Sequence, residues 1–303
     1  MNQILDNFKM TFKLWMEDKI ITQSAALSYY TVFSIGPLLL IALAIGGLFF
    51  GAEATHGEIF TSLQGLLGKQ GAGAIEGLVK SADLKDTGIF AAGVGVVTLL
   101  IGATSAFAQL QEALNLIWKV QPKKNSGIWS IVRQRLMSFS LILVIAFLLM
   151  VSLIFNAVIA GVGKFASDHL IGGAVLWEVI NFGISFGLTT LLFAALYKIL
   201  PDIIILWRDV WVGAAFTALL FTVGKLLIGL YLGKSAVTSS YGAAGSILVV
   251  LLWTYYSSAI LLFGAEYCRV HAVKKSGKIE LKNGAEWMPG QNGSIIPAPK
   301  TKA

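Results

Sequence analysis

The chain has 303 residues, of which 56% are hydrophobic and 13% charged, with a net charge of +7 and a mean hydropathy of +0.76. The charged share is about half that of a soluble domain, so the composition excludes an ordinary soluble fold and predicts a polytopic membrane protein. One cysteine, Cys268, excludes an internal disulfide and any multi-cysteine metal site, and the scatter of Lys and Arg between apolar runs argues against a nucleic-acid partner.

Residues 1–23 read as a cytoplasmic segment. Within it, 4–16 predict an amphipathic helix with Ile4, Leu5, Phe8, Phe12, Trp15 and Met16 on one face. Lys9 and Lys13 flank that face, which suits a helix lying in the membrane interface with its lysines near anionic headgroups. An ordinary packed helix at the edge of the bundle is the other reading. No short apolar core followed by a small-residue cleavage site occurs here, so no signal peptide is expected.

A spanning helix needs roughly 20 mostly apolar residues. Six stretches qualify, at about 24–50, 88–116, 137–163, 174–197, 211–233 and 243–267. The expected fold is therefore all-α: a bundle of six spanning helices over 24–267, plus the N-terminal interfacial helix.

The first span, "SAALSYYTVFSIGPLLLIALAIGGLFFG", carries hydroxyls and Pro37 inside an apolar run. Proline lacks an N–H and its ring collides with the carbonyl of Phe33, so a kink is expected, with a nearby serine or threonine donating to the freed carbonyl. Gln23, Tyr30, Ser34 and Pro37 share one helical face. That face suits either a cavity lining or helix–helix hydrogen bonding.

Residues 51–87 read as the longest outer loop, with one or two short helices. In the second span, Gly88, Gly95, Gly102 and Gln109 recur every seven residues, with Thr98, Ser105 and Glu112 three residues on. Small and polar residues at these positions let a neighbouring helix approach closely. Gln109 and Glu112 lie one turn apart, with Asn115 following. Glu112 either pairs with a cation such as Arg133 or Arg135, or forms a polar wall of an inward-facing cavity. The last span carries Ser257 and Gly264 on one face and Glu266 near its inner end. The tail, 268–303, is Gly-, Pro- and Lys-rich and is expected to be mostly disordered.

Orientation follows the basic residues. With the N-terminus inside, segments 1–23, 117–136, 198–210 and 268–303 hold 17 of the 23. Both termini are therefore expected in the cytoplasm. No carboxylate–histidine cluster, P-loop or nucleophile elbow occurs, so no catalytic residue, metal or cofactor is assigned and the chain is expected not to be an enzyme.

The pattern Ala-Leu-Ser-Tyr-Tyr…Ser-Ile-Gly-Pro, then Gln-Glu-Ala-Leu-Asn, then "YGAAGSILVVLLWTYYSSAILLFGAEYCRVHA" resembles the YihY/BrkB family of bacterial inner-membrane proteins over roughly residues 5–275. The resemblance implies a six-helix inner-membrane protein with cytoplasmic termini. Members have carried the names ribonuclease BN and virulence factor; this sequence offers no chemistry for the first. The leading expectation is transport or handling of a lipid-like or envelope-related substrate, in a cavity between the first, second and sixth spans. Its candidate residues are Tyr30, Ser34, Pro37, Gln109, Glu112, Asn115, Ser257 and Glu266. Lys9, Lys13, Arg133 and Arg135 are the candidates for anionic headgroups. The alternative is a scaffold that binds an envelope-assembly partner through 51–87. The small-residue faces suit a homo-oligomer as well as a monomer.

Overall fold

A computed structural model describes residues 2–81, 89–123, 173–234, 243–276 and 279–291. The described elements are α1 (Asn2–Glu17), α2 (Ile20–Phe50), α3 (Ala52–Ser81), α4 (Ile89–Ile117), β1 (Val120–Pro122), α5 (Gly173–Ile199), β2 (Ile203–Ile204), α6 (Trp207–Lys234), α7 (Ala243–Ser276), β3 (Glu280–Leu281) and β4 (Ala285–Trp287). Among the described residues, four stretches are long and apolar enough to cross a membrane: Ile20–Leu48, Phe182–Ile199, Trp207–Leu227 and Ile247–Lys275. The expected second span coincides with α4, 29 residues long. The expected third span, and Arg133 and Arg135 in the segment before it, lie outside the described residues.

Helix α1 ends where Lys19 takes a left-handed conformation, φ 51° and ψ 40°, which redirects the chain into α2. Pro37 lies inside α2, whose helical assignment continues past it to Phe50. The neighbouring hydroxyls bond elsewhere than expected. Ser28 donates to Ala25 O, Thr31 to Leu27 O and Ser34 to Gly102 O. Ser28 and Thr31 bond back to the preceding turn, and Ser34 bonds across the helix interface.

Gly51, at φ 86°, ends α2 and reverses the chain. The segment expected as a loop is instead largely one 30-residue helix, α3. It packs along α2, α6 and α7. Its Ala72, Ile75 and Val79 fall at helical spacing and are buried, Ile75 in a cluster with Val250 and Trp253. The glycines of this stretch suggested turns, but Gly57, Gly73 and Gly77 stand in open space and ask nothing special of the backbone. Thr55 sits so close to Gly46 that a Cβ there would collide with it, which sets the α2–α3 spacing.

Helices α6 and α7 approach through small residues, the usual means of helix association where lipid removes the hydrophobic driving force. A Cβ on Gly264 would collide with Thr217 Oγ1 and Tyr197 Oη, and one on Gly213 with Cys268 Sγ. The Tyr197 hydroxyl is 2.8 Å from Thr217 Oγ1 and donates to Leu261 O at 2.8 Å.

The main core joins α2, α4, α5, α6 and α7 at one end of the bundle, around Trp118, Tyr197, Leu262 and Ile203. Two ribbons cap this end. β1 pairs antiparallel with β4 (Val120↔Trp287, Pro122↔Ala285), and β2 with β3 (Ile203↔Leu281, Ile204↔Glu280). The expectation of a mostly disordered tail therefore needs correction. Residues 268–276 complete α7, and 279–291 stitch together the two connections that follow α4 and α5. Residues 292–303 lie outside the described residues. The strands are only two or three residues long, and their partners are distant in sequence, so local composition gave no sign of them.

Candidate functional site

The polar residues of the bundle gather at the ribbon end and along the seam between α2 and α4. At the ribbon end, Asp18, Lys119, Glu266 and Arg269 form one ion network. Lys119 Nζ lies 2.5 Å from Asp18 Oδ1; Arg269 Nη1 lies 3.0 Å from Asp18 Oδ2 and 2.9 Å from Glu266 Oε1. Glu266 and Arg269 meet because i and i+3 share a helix face. Lys119 reaches Asp18 because it too is left-handed, φ 58°, at the end of α4. Its carbonyl accepts the Met288 N–H at 2.9 Å, which joins the network to the tail. The side chains of Arg269 and Glu266 are 3% and 0% exposed. Two carboxylates and two cations balance, and Glu266 Oε2 is buried with no hydrogen-bond partner among the described residues.

A second hub surrounds Asp202, in the α5–α6 connection. Asn115 Nδ2 donates to Asp202 Oδ2 at 2.7 Å, and Asn115 Oδ1 accepts the Asp202 N–H at 2.8 Å. Gln111 Nε2 donates to Asp202 Oδ1 at 3.2 Å. Lys282 of the tail donates its N–H to Asp202 O and its ammonium to Ile199 O and Pro201 O, both at 2.8 Å. Burial lowers the Lys282 pKa; Asp202 opposes this and Lys198 adds to it.

The α2–α4 seam is antiparallel. Ser34 Oγ donates to Gly102 O at 2.6 Å, and a Cβ on Gly102 would stand 3.0 Å from the Pro37 ring. Two turns nearer the ribbon end of α4, Gln109 Nε2 donates to Gln23 Oε1 at 3.4 Å. Tyr30 and Glu112 are exposed.

The residues singled out from the sequence thus fall into separate places. Ser34 and Pro37 pack on Gly102, and Gln109 bonds Gln23. Asn115 belongs to the Asp202 hub and Glu266 to the ion network. Ser257 lies within α7, its Oγ buried without a hydrogen-bond partner among the described residues. Lys9 and Lys13 are exposed on α1, where Lys13 lies 3.8 Å from Glu17. Asp18, Lys119, Arg269, Asp202 and Lys282 escaped the sequence reading. The i,i+3 spacing of Glu266 and Arg269 was the one signal that pointed to any of them. Among the described residues, no group of three or more His, Cys, Asp or Glu side chains is arranged to hold a metal ion.

Long apolar helices, small-residue helix contacts and polar groups gathered at the bundle's end define a polytopic α-helical membrane protein. The chain belongs to the family described as Virulence factor BrkB, whose model matches residues 11–286. That match runs into β4, so the ribbons lie inside the family segment rather than in a lineage-specific tail. Similar curated proteins include a UPF0761 membrane protein of Janthinobacterium sp. (strain Marseille), 27% identical over 268 residues, with 87% of this chain and 59% of that protein covered. Another, from Pseudomonas aeruginosa (strain LESB58), is 29% identical over 257 residues, with 83% and 59% covered. The match therefore spans about three fifths of those relatives' length. No solved structure matches.

Proposed function

We propose that this is a six-span inner-membrane protein, with both termini in the cytoplasm, that transports or otherwise handles a lipid-like or envelope-related substrate along the α2–α4 seam. The observation that carries the reading is the Gln23–Gln109 bond on the seam, with Tyr30 and Glu112 exposed beside it. An exposed carboxylate beside a half-buried amide pair near the end of a spanning helix is a functional candidate by default, since hydrocarbon penalises it. The ribbon end then faces the cytoplasm, which the 17 of 23 basic residues on that side support. In this reading the protein is not an enzyme and needs no cofactor.

The alternative is a scaffold that binds an envelope-assembly partner through α3, whose Ile75 is buried against α7. The test is native mass spectrometry of protein extracted gently from its own membrane, comparing wild type with Glu112→Gln and Gln109→Leu. A defined lipid or precursor kept by wild type and lost by both variants supports the seam. Identical, generic lipid adducts in all three overturn it.

A further inference from the structure

At 100° per residue, α1 presents three different sectors, each covering roughly a third of its circumference. Asn7, Thr11 and Leu14 are buried against the bundle. Thr11 Oγ1 donates to Asn7 O, and Asn7 Oδ1 accepts from Lys274 Nζ at 2.6 Å. Leu5, Phe12 and Met16, each more than half exposed, form a second sector. Phe8 borders it and leans on Phe216 and Phe263, with ring centroids 6.1 and 5.6 Å away. Lys9, Lys13, Asp6 and Glu17 form the third. A helix with polar groups turned inward and an apolar stripe turned outward is built for hydrocarbon on the outward side.

Beside α1, the start of α6 and the end of α7 place three cations in order. Asp209 is buried and lies 3.7 Å from Arg208 Nε and 3.3 Å from Lys275 Nζ, so it holds both cations while they remain 64% and 44% exposed. Lys274 is held by Asn7. Trp207 and Trp211, one turn apart on α6, are exposed at this level, as tryptophans are at a membrane boundary.

We propose that α1 and the adjoining ends of α6 and α7 form a docking surface for an anionic leaflet. Arg208, Lys274 and Lys275 bind the phosphate of an anionic phospholipid, and Leu5, Phe12 and Met16 sit among its acyl chains. Charge complementarity favours this occupant: five cations, counting Lys9 and Lys13, stand against three carboxylates, the exposed Asp6 and Glu17 and the buried Asp209. The guanidinium fork of Arg208 suits phosphate oxygens. The apolar stripe and tryptophans favour a leaflet over a nucleic acid. The inference rests on the chain spanning the membrane and stands whether or not the seam carries a substrate.

The test uses the full chain in nanodiscs of mixed phosphatidylcholine and phosphatidylglycerol, with retained lipids counted by native mass spectrometry. Wild type is expected to keep phosphatidylglycerol several-fold over phosphatidylcholine. Arg208→Gln with Lys275→Gln is expected to cut that preference about fivefold or more. Glu17→Gln should hold or raise it. Should the double variant fail to fold, Lys9→Gln with Lys13→Gln takes its place. Equal retention of both lipids by wild type, or an unchanged preference in the folded charge variants, overturns the proposal.

Discussion

Arg269→Met is the substitution that asks most of the ion network. Methionine approximates the length of the arginine stem and removes the guanidinium that holds Asp18 and Glu266 at 3.0 and 2.9 Å. Lys119 alone then faces two buried carboxylates. Breaking a buried pair by removing one partner costs about 3–5 kcal/mol, because the other charge is left uncompensated. At roughly 2–4 °C per kcal/mol, Tm should fall by about 6–20 °C. The assay is thermal unfolding in detergent followed by tryptophan fluorescence, for Arg269→Met, Glu266→Gln and the double variant. In the double variant the Asp18–Lys119 pair is balanced again, so it should recover at least about 1 kcal/mol relative to the sum of the singles. A loss below about 1 kcal/mol for Arg269→Met, or strict additivity in the double variant, would refute the claim that these charges clamp α1, α4 and α7 together.

The other expectations concern packing, backbone and pH. Gly264→Ala drives a methyl into Thr217 and Tyr197 and should cost about 1–3 kcal/mol, part of it recovered when Thr217→Ala is added; an unchanged Tm would mean that α6 and α7 are not this close. Lys19→Gly relieves a left-handed conformation that costs a side chain about 1–2 kcal/mol, offset partly by the freedom of glycine in the unfolded chain. It should raise stability by about 0.5–1 kcal/mol, and a lower Tm would contradict it. The Lys282 pKa is lower in the folded protein than in the unfolded chain, so the unfolded chain binds more protons in the window between the two values. Stability should therefore rise as pH climbs through that window toward the ordinary lysine value of about 10.4, and Lys282→Met should flatten the rise in a pH series of unfolding curves.

What the sequence made legible was periodic. The seven-residue recurrence of Gly102 and Gln109 on α4, and of Gln23, Tyr30 and Pro37 on α2, marks two stripes that the structure sets face to face through the Ser34–Gly102 and Gln23–Gln109 contacts. The apolar spacing of α1 was legible for the same reason. The ion network was not, because its partners lie far apart in sequence: Asp18 meets Lys119 across 101 residues and Arg269 across 251. It also depends on two lysines adopting a left-handed backbone, which no lysine announces. The length of α3 was obscured by glycines that a packed helix tolerates. The ribbons were hidden because strands of two or three residues have too little alternation to read.

The positions along α4 tie the seam to the network. Gln109 contacts α2, Asn115 grips Asp202, and Lys119 reaches Asp18, in order toward the ribbon end. On the other side of the seam, Gln23 follows Asp18 by little more than one turn of α2. Both helices are therefore anchored by buried charges or amides immediately beyond their Gln–Gln contact. If a substrate parts α2 from α4, the ribbon end is the costly place to open, because parting there strips Lys119 from Asp18. Farther along the seam, the described contacts are the hydroxyl bond at Ser34 and the approach of Pro37 to Gly102, which are cheaper to break than a buried ion pair. Separation of the pair is thus expected to open the Ser34–Gly102 contact before the Asp18–Lys119 pair, with the ribbon end as its fulcrum.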